Sequence, residues 1–106
     1  MTAGGDGRSV ARLRVGDQHV LELPGLGTAG YRWQWTVAGD PSLLSVRRLP
    51  AAEPAPRRPG ASAAERFAIE ARRPGRVRVE FVQRRPFEPE EVPPNRRHQL
   101  EVEIVP

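Results

Sequence analysis

The feature that most constrains this chain is an alternation of apolar and polar residues with a period of two. Tyr31, Trp33, Trp35 and Val37 alternate with Arg32, Gln34 and Thr36. Phe67, Ile69 and Ala71 alternate with Ala68, Glu70 and Arg72, and Val77, Val79 and Phe81 with Arg78 and Glu80. Leu100, Val102 and Ile104 alternate with Glu101 and Glu103. Successive side chains of a strand point to opposite faces, so each run has one apolar and one polar face. That is the pattern of an antiparallel sheet with one wet side. Weaker strands are expected at 10–15 and 18–23, on either side of the Gly16-Asp17 turn signal, and at 43–49 after Asp40-Pro41. Arg73-Pro74-Gly75 reads as a hairpin, with Pro and Gly suited to the two central positions of a type II turn. No apolar 3.6 period persists long enough for a helix, and twelve scattered prolines exclude a coiled coil.

About seven short strands in 106 residues, 38% of them hydrophobic, suffice for a single core. Two sheets packed face to face bury such strands best. The expected fold class is therefore all-β, an immunoglobulin-like antiparallel β-sandwich over residues 8–106, with residues 1–7 a flexible tail. No segment approaches the ~18 apolar residues of a membrane span. The chain has no cysteine, which excludes disulfides, thiolate metal sites and a cysteine nucleophile. Residues 1–7 contain no apolar run of the signal-peptide kind. A cytoplasmic location is expected if the chain is complete, and a secreted one if a leader has been removed.

Three segments do not read as strands: 23–30, 50–64 and 85–97. Long loops in a small domain are commonly functional or disordered. Apart from its prolines, 50–64 has no side chain of aliphatic or aromatic type larger than Ala, and mobility is expected there. In a seven-strand sandwich the first and third of these loops share one end and become neighbours.

Reactive constellations are hard to find. His19 and His98 lie on separate expected strands and read as strand-surface histidines, without the convergent ligands a metal site needs. Glu88, Glu90 and Glu91 sit among prolines and arginines in what reads as a solvated loop tip. Ser9, Ser42, Ser45 and Ser62 lack a nucleophile-elbow context. Gly25-Leu26-Gly27 opens as G-x-G after a strand, yet no helix follows to hold a phosphate. No enzymatic activity, metal or cofactor is expected. The net charge of +4 and a pI near 11.1 raise the question of nucleic acid. The basic residues are all Arg, interleaved with glutamates on the strands, and aromatic residues are few, so neither nucleic acid nor membrane is an expected partner.

The first loop runs into its strand as Leu26-Gly27-Thr28-Ala29-Gly30-Tyr31-Arg32-Trp33, and the third opens with Arg85-Pro86-Phe87-Glu88. Together they resemble the loops of the chagasin family of cysteine-protease inhibitors, whose first motif is N-P-T-T-G-Y followed closely by Trp. Its last motif, R-P-W followed by an acid, corresponds to Arg85-Pro86-Phe87-Glu88. Its middle Gly-rich motif is nearly lost, the nearest candidate being Gly60-Ala61-Ser62-Ala63 ahead of Phe67. The resemblance implies an immunoglobulin-like sandwich, monomeric when free, whose three loops plug the active-site cleft of papain-like cysteine proteases. Carried over residue by residue, it makes Thr28 the central contact, with Gly27, Ala29 and Gly30 beside it. It makes Arg85, Pro86 and Phe87 one flank, and Gly60, Ala61 and Ser62 the other. The departures are Leu26-Gly27 for Asn-Pro, Ala29 for Thr and Phe87 for Trp. Tyr31 and Trp33, which alternate onto one face, are expected in the core. Two further readings are an immunoglobulin-like module binding another protein through the same loops, and an Arg-mediated nucleic-acid binder.

Overall fold

The computed structural model describes residues 6–50 and 63–106, with Asp6 and Thr28 described by their backbone alone. The described residues form seven strands, β1 (Asp6–Arg14), β2 (Gln18–Leu23), β3 (Arg32–Ala38), β4 (Leu44–Arg48), β5 (Glu65–Ala71), β6 (Gly75–Arg84) and β7 (Arg96–Val105). One sheet has the order β1-β7-β6-β3 and the other the order β2-β5-β4. Their alternating apolar faces meet in one core. Trp33, Phe67, Ile69, Val79, Phe81, Leu100 and Val102 are all but inaccessible. Phe67 and Phe81 approach to 5.0 Å between centroids across the sheets, and Trp35 meets Phe67 edge-on at 5.4 Å. Such pairing adds to the stabilisation from burial alone.

Three expectations need correction. First, the four-stranded sheet is mixed: β1 runs parallel to β7, from Asp6 opposite Arg97 to Arg14 opposite Val105. β2 lies in the other sheet, so β1 cannot pair with its successor and takes the free edge of the last strand. β1 also begins at Asp6, so the expected tail overlaps the strand at Asp6 and Gly7. Second, Arg73-Pro74-Gly75 does not close a hairpin, because β5 and β6 belong to different sheets. The turn carries the chain across the sandwich. Gly75 has φ +148, and a Cβ there would lie 2.9 Å from Leu43 Cδ1, so the crossing requires glycine. Third, the strand expected at 43–49 starts one residue later, after a 3-10 turn at Pro41–Leu43. Asp40 caps that turn, its Oδ1 accepting from Ser42 N at 2.9 Å and from Ser42 Oγ at 2.7 Å. The mobility expected of 50–64 falls almost wholly outside the described residues.

His98 is not a surface histidine either. It lies in phase with Leu100 and Val102 on the inner face of β7, opposite Phe81. It is half-buried, and its Nε2 is 2.8 Å from Ser9 Oγ on β1. Burial pushes its pKa below the ordinary value. The unfolded chain therefore takes up the proton first as pH falls. The stability tied to neutral His98 is complete above the unfolded pKa near 6.5 and is lost as pH drops towards the lower folded value. The urea midpoint is expected to fall between pH 7.5 and 5 in the wild type, and to fall less in His98→Gln. Equal slopes in the two proteins would remove His98 as the source.

Candidate functional site

Register places the loops. Leu23 ends β2 opposite Glu65, which begins β5. Arg32 begins β3 opposite Arg84, which ends β6, and Gln83 faces Arg96 at the start of β7. The segments 24–31, 49–64 and 85–95 therefore all leave from one end of the sandwich.

The first loop is closed by its own main chain. Gly27–Ala29 form a 3-10 turn. Ala29 N and Tyr31 N both donate to Leu26 O at 3.1 Å, and Gly30 N donates to Gly27 O at 2.9 Å. Gly30 ends the turn at φ +86, a left-handed conformation that glycine adopts without strain. Thr28 is the central residue of that turn, and Gly27, Ala29 and Gly30 around it are exposed.

The third loop is folded around a guanidinium. Arg84 Nη2 donates to the carbonyls of Pro89, Glu90 and Val92 at 3.2, 3.2 and 2.6 Å. Glu88 N donates to Arg85 O at 3.1 Å, which leaves Pro86 and Phe87 at the tip. Phe87 is 96% exposed. It is the most exposed large hydrophobic side chain among the described residues, and an aromatic ring offers a large apolar area to a partner.

These two loops touch, as expected from their shared end. Arg85 Nε donates to Ala29 O at 3.2 Å, and the guanidinium lies 4.7 Å from the centre of the Tyr31 ring. Arg85 is thus a strut between loops more than a free donor fork. The Glu88 carboxylate accepts from the Arg85 backbone N–H at 3.4 Å, and among the described residues it forms no ion pair with the Arg85 guanidinium. Tyr31 is correspondingly not a core residue. It is half-buried, outside β3, in an isolated bridge with Leu26, beneath the Arg85 guanidinium.

Gly60, Ala61 and Ser62 lie outside the described residues. The two ends of their loop are described. Arg48, which ends β4, forms an ion pair with Glu65, which begins β5. The Glu65 carboxylate also accepts from Trp33 N at 3.3 Å, and Arg48 donates to Trp33 O. The Arg48 guanidinium sits 5.1 Å from the centre of the Phe67 ring. Trp33 Nε1 donates to Pro24 O at 2.9 Å, joining the same centre to the first loop. One residue further on, the chain passes so close to the middle loop that a Cβ on Gly25 would lie 1.8 Å from Ala63 O. The roles of Arg48 and Glu65 escape the sequence reading. Their only signal is opposite charge on either side of a long proline-rich segment.

Among the described residues, this end of the sandwich presents two hydrogen-bonded loops with glycines and one bare aromatic ring, groups suited to a concave partner.

A sequence model of the chagasin family of peptidase inhibitors, I42, matches residues 12–102. Three solved structures are similar in fold. The cysteine protease inhibitor EhICP2 from Entamoeba histolytica shares 15% identity over 97% of this chain and 100% of its own, with a TM-score of 0.69. The solution structure of amebosin shares 22% over 97% and 100%, with a TM-score of 0.69. PbICP-C, solved in complex with falcipain-2, shares 16% over 99% and 95%, with a TM-score of 0.70. A search among curated proteins finds no match.

Proposed function

The chain belongs to the chagasin family of peptidase inhibitors, and from that premise we propose that it inhibits papain-like cysteine proteases reversibly and without a covalent bond. The loop-bearing end of the sandwich enters the active-site cleft. Thr28 leads, with Gly27, Ala29 and Gly30 around it, and Pro86 and Phe87 press on one flank. The middle loop, with Gly60, Ala61 and Ser62, grips the other flank. Such an inhibitor performs no chemistry of its own, and the reading assigns no catalytic residue to this chain.

The observation that carries the proposal is the tie between the first and third loops, Arg85 Nε to Ala29 O with the guanidinium over Tyr31. Two loops braced before binding lose little conformational entropy on entering a cleft, and pre-organisation of this kind favours affinity. A standard interface of roughly 800 Å² per partner is within reach of three loops. The fold neighbours include the cysteine protease inhibitor EhICP2 and one protein bound to falcipain-2, which supports the reading.

The test is a titration of active-site-counted papain followed by hydrolysis of a fluorogenic peptide. Stoichiometric loss of activity, reversed on dilution, is expected. Full activity at micromolar inhibitor would overturn the reading for papain itself. If the same protein then captured from host lysate a partner other than a cysteine protease, it would be an interaction module instead.

A further inference from the structure

Gln83 continues the inward face of β6 after Val77, Val79 and Phe81, where the alternation calls for an apolar side chain. Among the described residues it is the one polar side chain that is buried, at 0% exposure. A buried carboxamide is costly unless its polar atoms find partners. Here both the nitrogen and the oxygen have one. Nε2 donates to Pro24 O at 3.2 Å, and Oε1 accepts from Asn95 Nδ2 at 2.7 Å. The amide orientation follows from chemistry, because a carbonyl such as Pro24 O can only accept and must therefore face the NH₂ group. The main chain adds a third bond, Asn95 N to Gln83 O at 2.9 Å.

The partners' places in the chain give this network its meaning. Pro24 opens the first loop and Asn95 closes the third. Pro24 O also takes the Trp33 indole N–H at 2.9 Å, so both of its lone pairs are used. We infer that Gln83 is a positioning residue: its buried carboxamide sets the roots of the first and third loops at one distance, while Arg85 ties them nearer their tips. This rests on the inhibitory reading of the loops, to which it adds the residue that holds two of them in register. An aliphatic side chain would fill the same space but keep only the main-chain bond to Asn95, and would not link Pro24 to the third loop.

The test combines Gln83→Met, similar in length but unable to make either bond, with Asn95→Ala, which cuts the link to the third loop alone. Native-state hydrogen exchange is measured on the free protein, and inhibition of papain is measured beside it. In Gln83→Met, amides of 24–31 and 85–95 are expected to exchange about tenfold faster, and the inhibition constant to rise by about the same factor. In Asn95→Ala the acceleration is expected in 85–95 alone. Unchanged loop exchange in Gln83→Met would overturn the inference, as would acceleration spread evenly over all strands. If Gln83→Met does not fold, the exposed site in Asn95→Ala decides, and unchanged exchange in 85–95 overturns it. The exchange readout needs no protease. Should the wild type fail to inhibit, the inhibitory reading falls while the role of Gln83 is still decided.

Discussion

Thr28→Arg is expected to abolish inhibition while leaving the domain folded. The turn that carries Thr28 is closed by main-chain bonds at Leu26, Gly27, Ala29, Gly30 and Tyr31, none of which requires a particular side chain at 28. Gly30 holds the left-handed φ of +86 that ends the turn, and it is not altered. The melting temperature should therefore stay within about 2 °C of the wild type, as for a surface substitution. The inhibition constant should behave quite differently. A central contact in a close-fitting interface is where truncation or overfilling costs most, commonly 2 kcal/mol or more, and each ~1.4 kcal/mol is tenfold. A long charged side chain at the leading point of a wedge adds bulk and a charge to be desolvated, so a loss of about a hundredfold or more is expected. Thr28→Ser, which changes little volume, should retain most of the affinity. Inhibition by Thr28→Arg at wild-type strength would mean that the first loop does not lead into the cleft. The flank formed by Phe87 would then become the principal contact.

Much of this architecture was legible because alternation is a strong constraint. The inward runs at Trp33, at Phe67 and Ile69, at Val77, Val79 and Phe81, and at Leu100, Val102 and Ile104 are the core of the molecule. What alternation does not encode is which sheet a strand joins. Pro74-Gly75 announces a reversal of direction equally well for a hairpin and for a crossing between sheets. The choice depends on which sheet each flanking strand joins, and here β5 and β6 join different ones. The parallel pairing of β1 with β7 is hidden for the same reason, since its partners are about ninety residues apart in sequence.

The site divides along similar lines. The resemblance locates the loops, and their shared end follows from the sandwich. Which side chains face outwards does not follow. Arg85 reads as an interface donor, yet its guanidinium is already engaged by Ala29 O and Tyr31. Tyr31 reads as core because it continues the phase of Trp33, but the strand begins only at Arg32. Gln83 carried a usable signal, as a polar residue in phase with three apolar ones. Its meaning emerges only with Pro24 and Asn95 in place.

Trp33→Ala is the substitution expected to cost the fold most. Truncating a buried Trp or Phe to Ala typically costs 3–5 kcal/mol, from lost burial and the cavity left behind. Small domains have only about 5–15 kcal/mol in total. Trp33 is 2% exposed, so the full penalty applies. Its backbone N–H also donates to the Glu65 carboxylate and its carbonyl accepts from Arg48, so a cavity beside them would weaken the ion pair that joins the two ends of the middle loop. At roughly 4 °C or more per kcal/mol for a domain of this size, the melting temperature should fall by about 15 °C or more. Trp33→Phe isolates the polar part of the effect. It keeps an aromatic ring in the core and forfeits the bond from Nε1 to Pro24 O. That carbonyl keeps its bond from Gln83, so no buried group is orphaned and the hydrogen-bond loss should be about 1 kcal/mol. Far-UV circular dichroism melts of the three proteins would rank them, with the Phe variant near the wild type and the Ala variant well below both. If Phe fell as far as Ala, the indole hydrogen bond would outweigh the volume of the side chain, and the link to the first loop would be the principal support of this end of the sandwich. If neither fell by more than a few degrees, the core beneath the loops would be able to collapse around the cavity, and the rigidity on which the wedge depends would have to reside in the loops themselves.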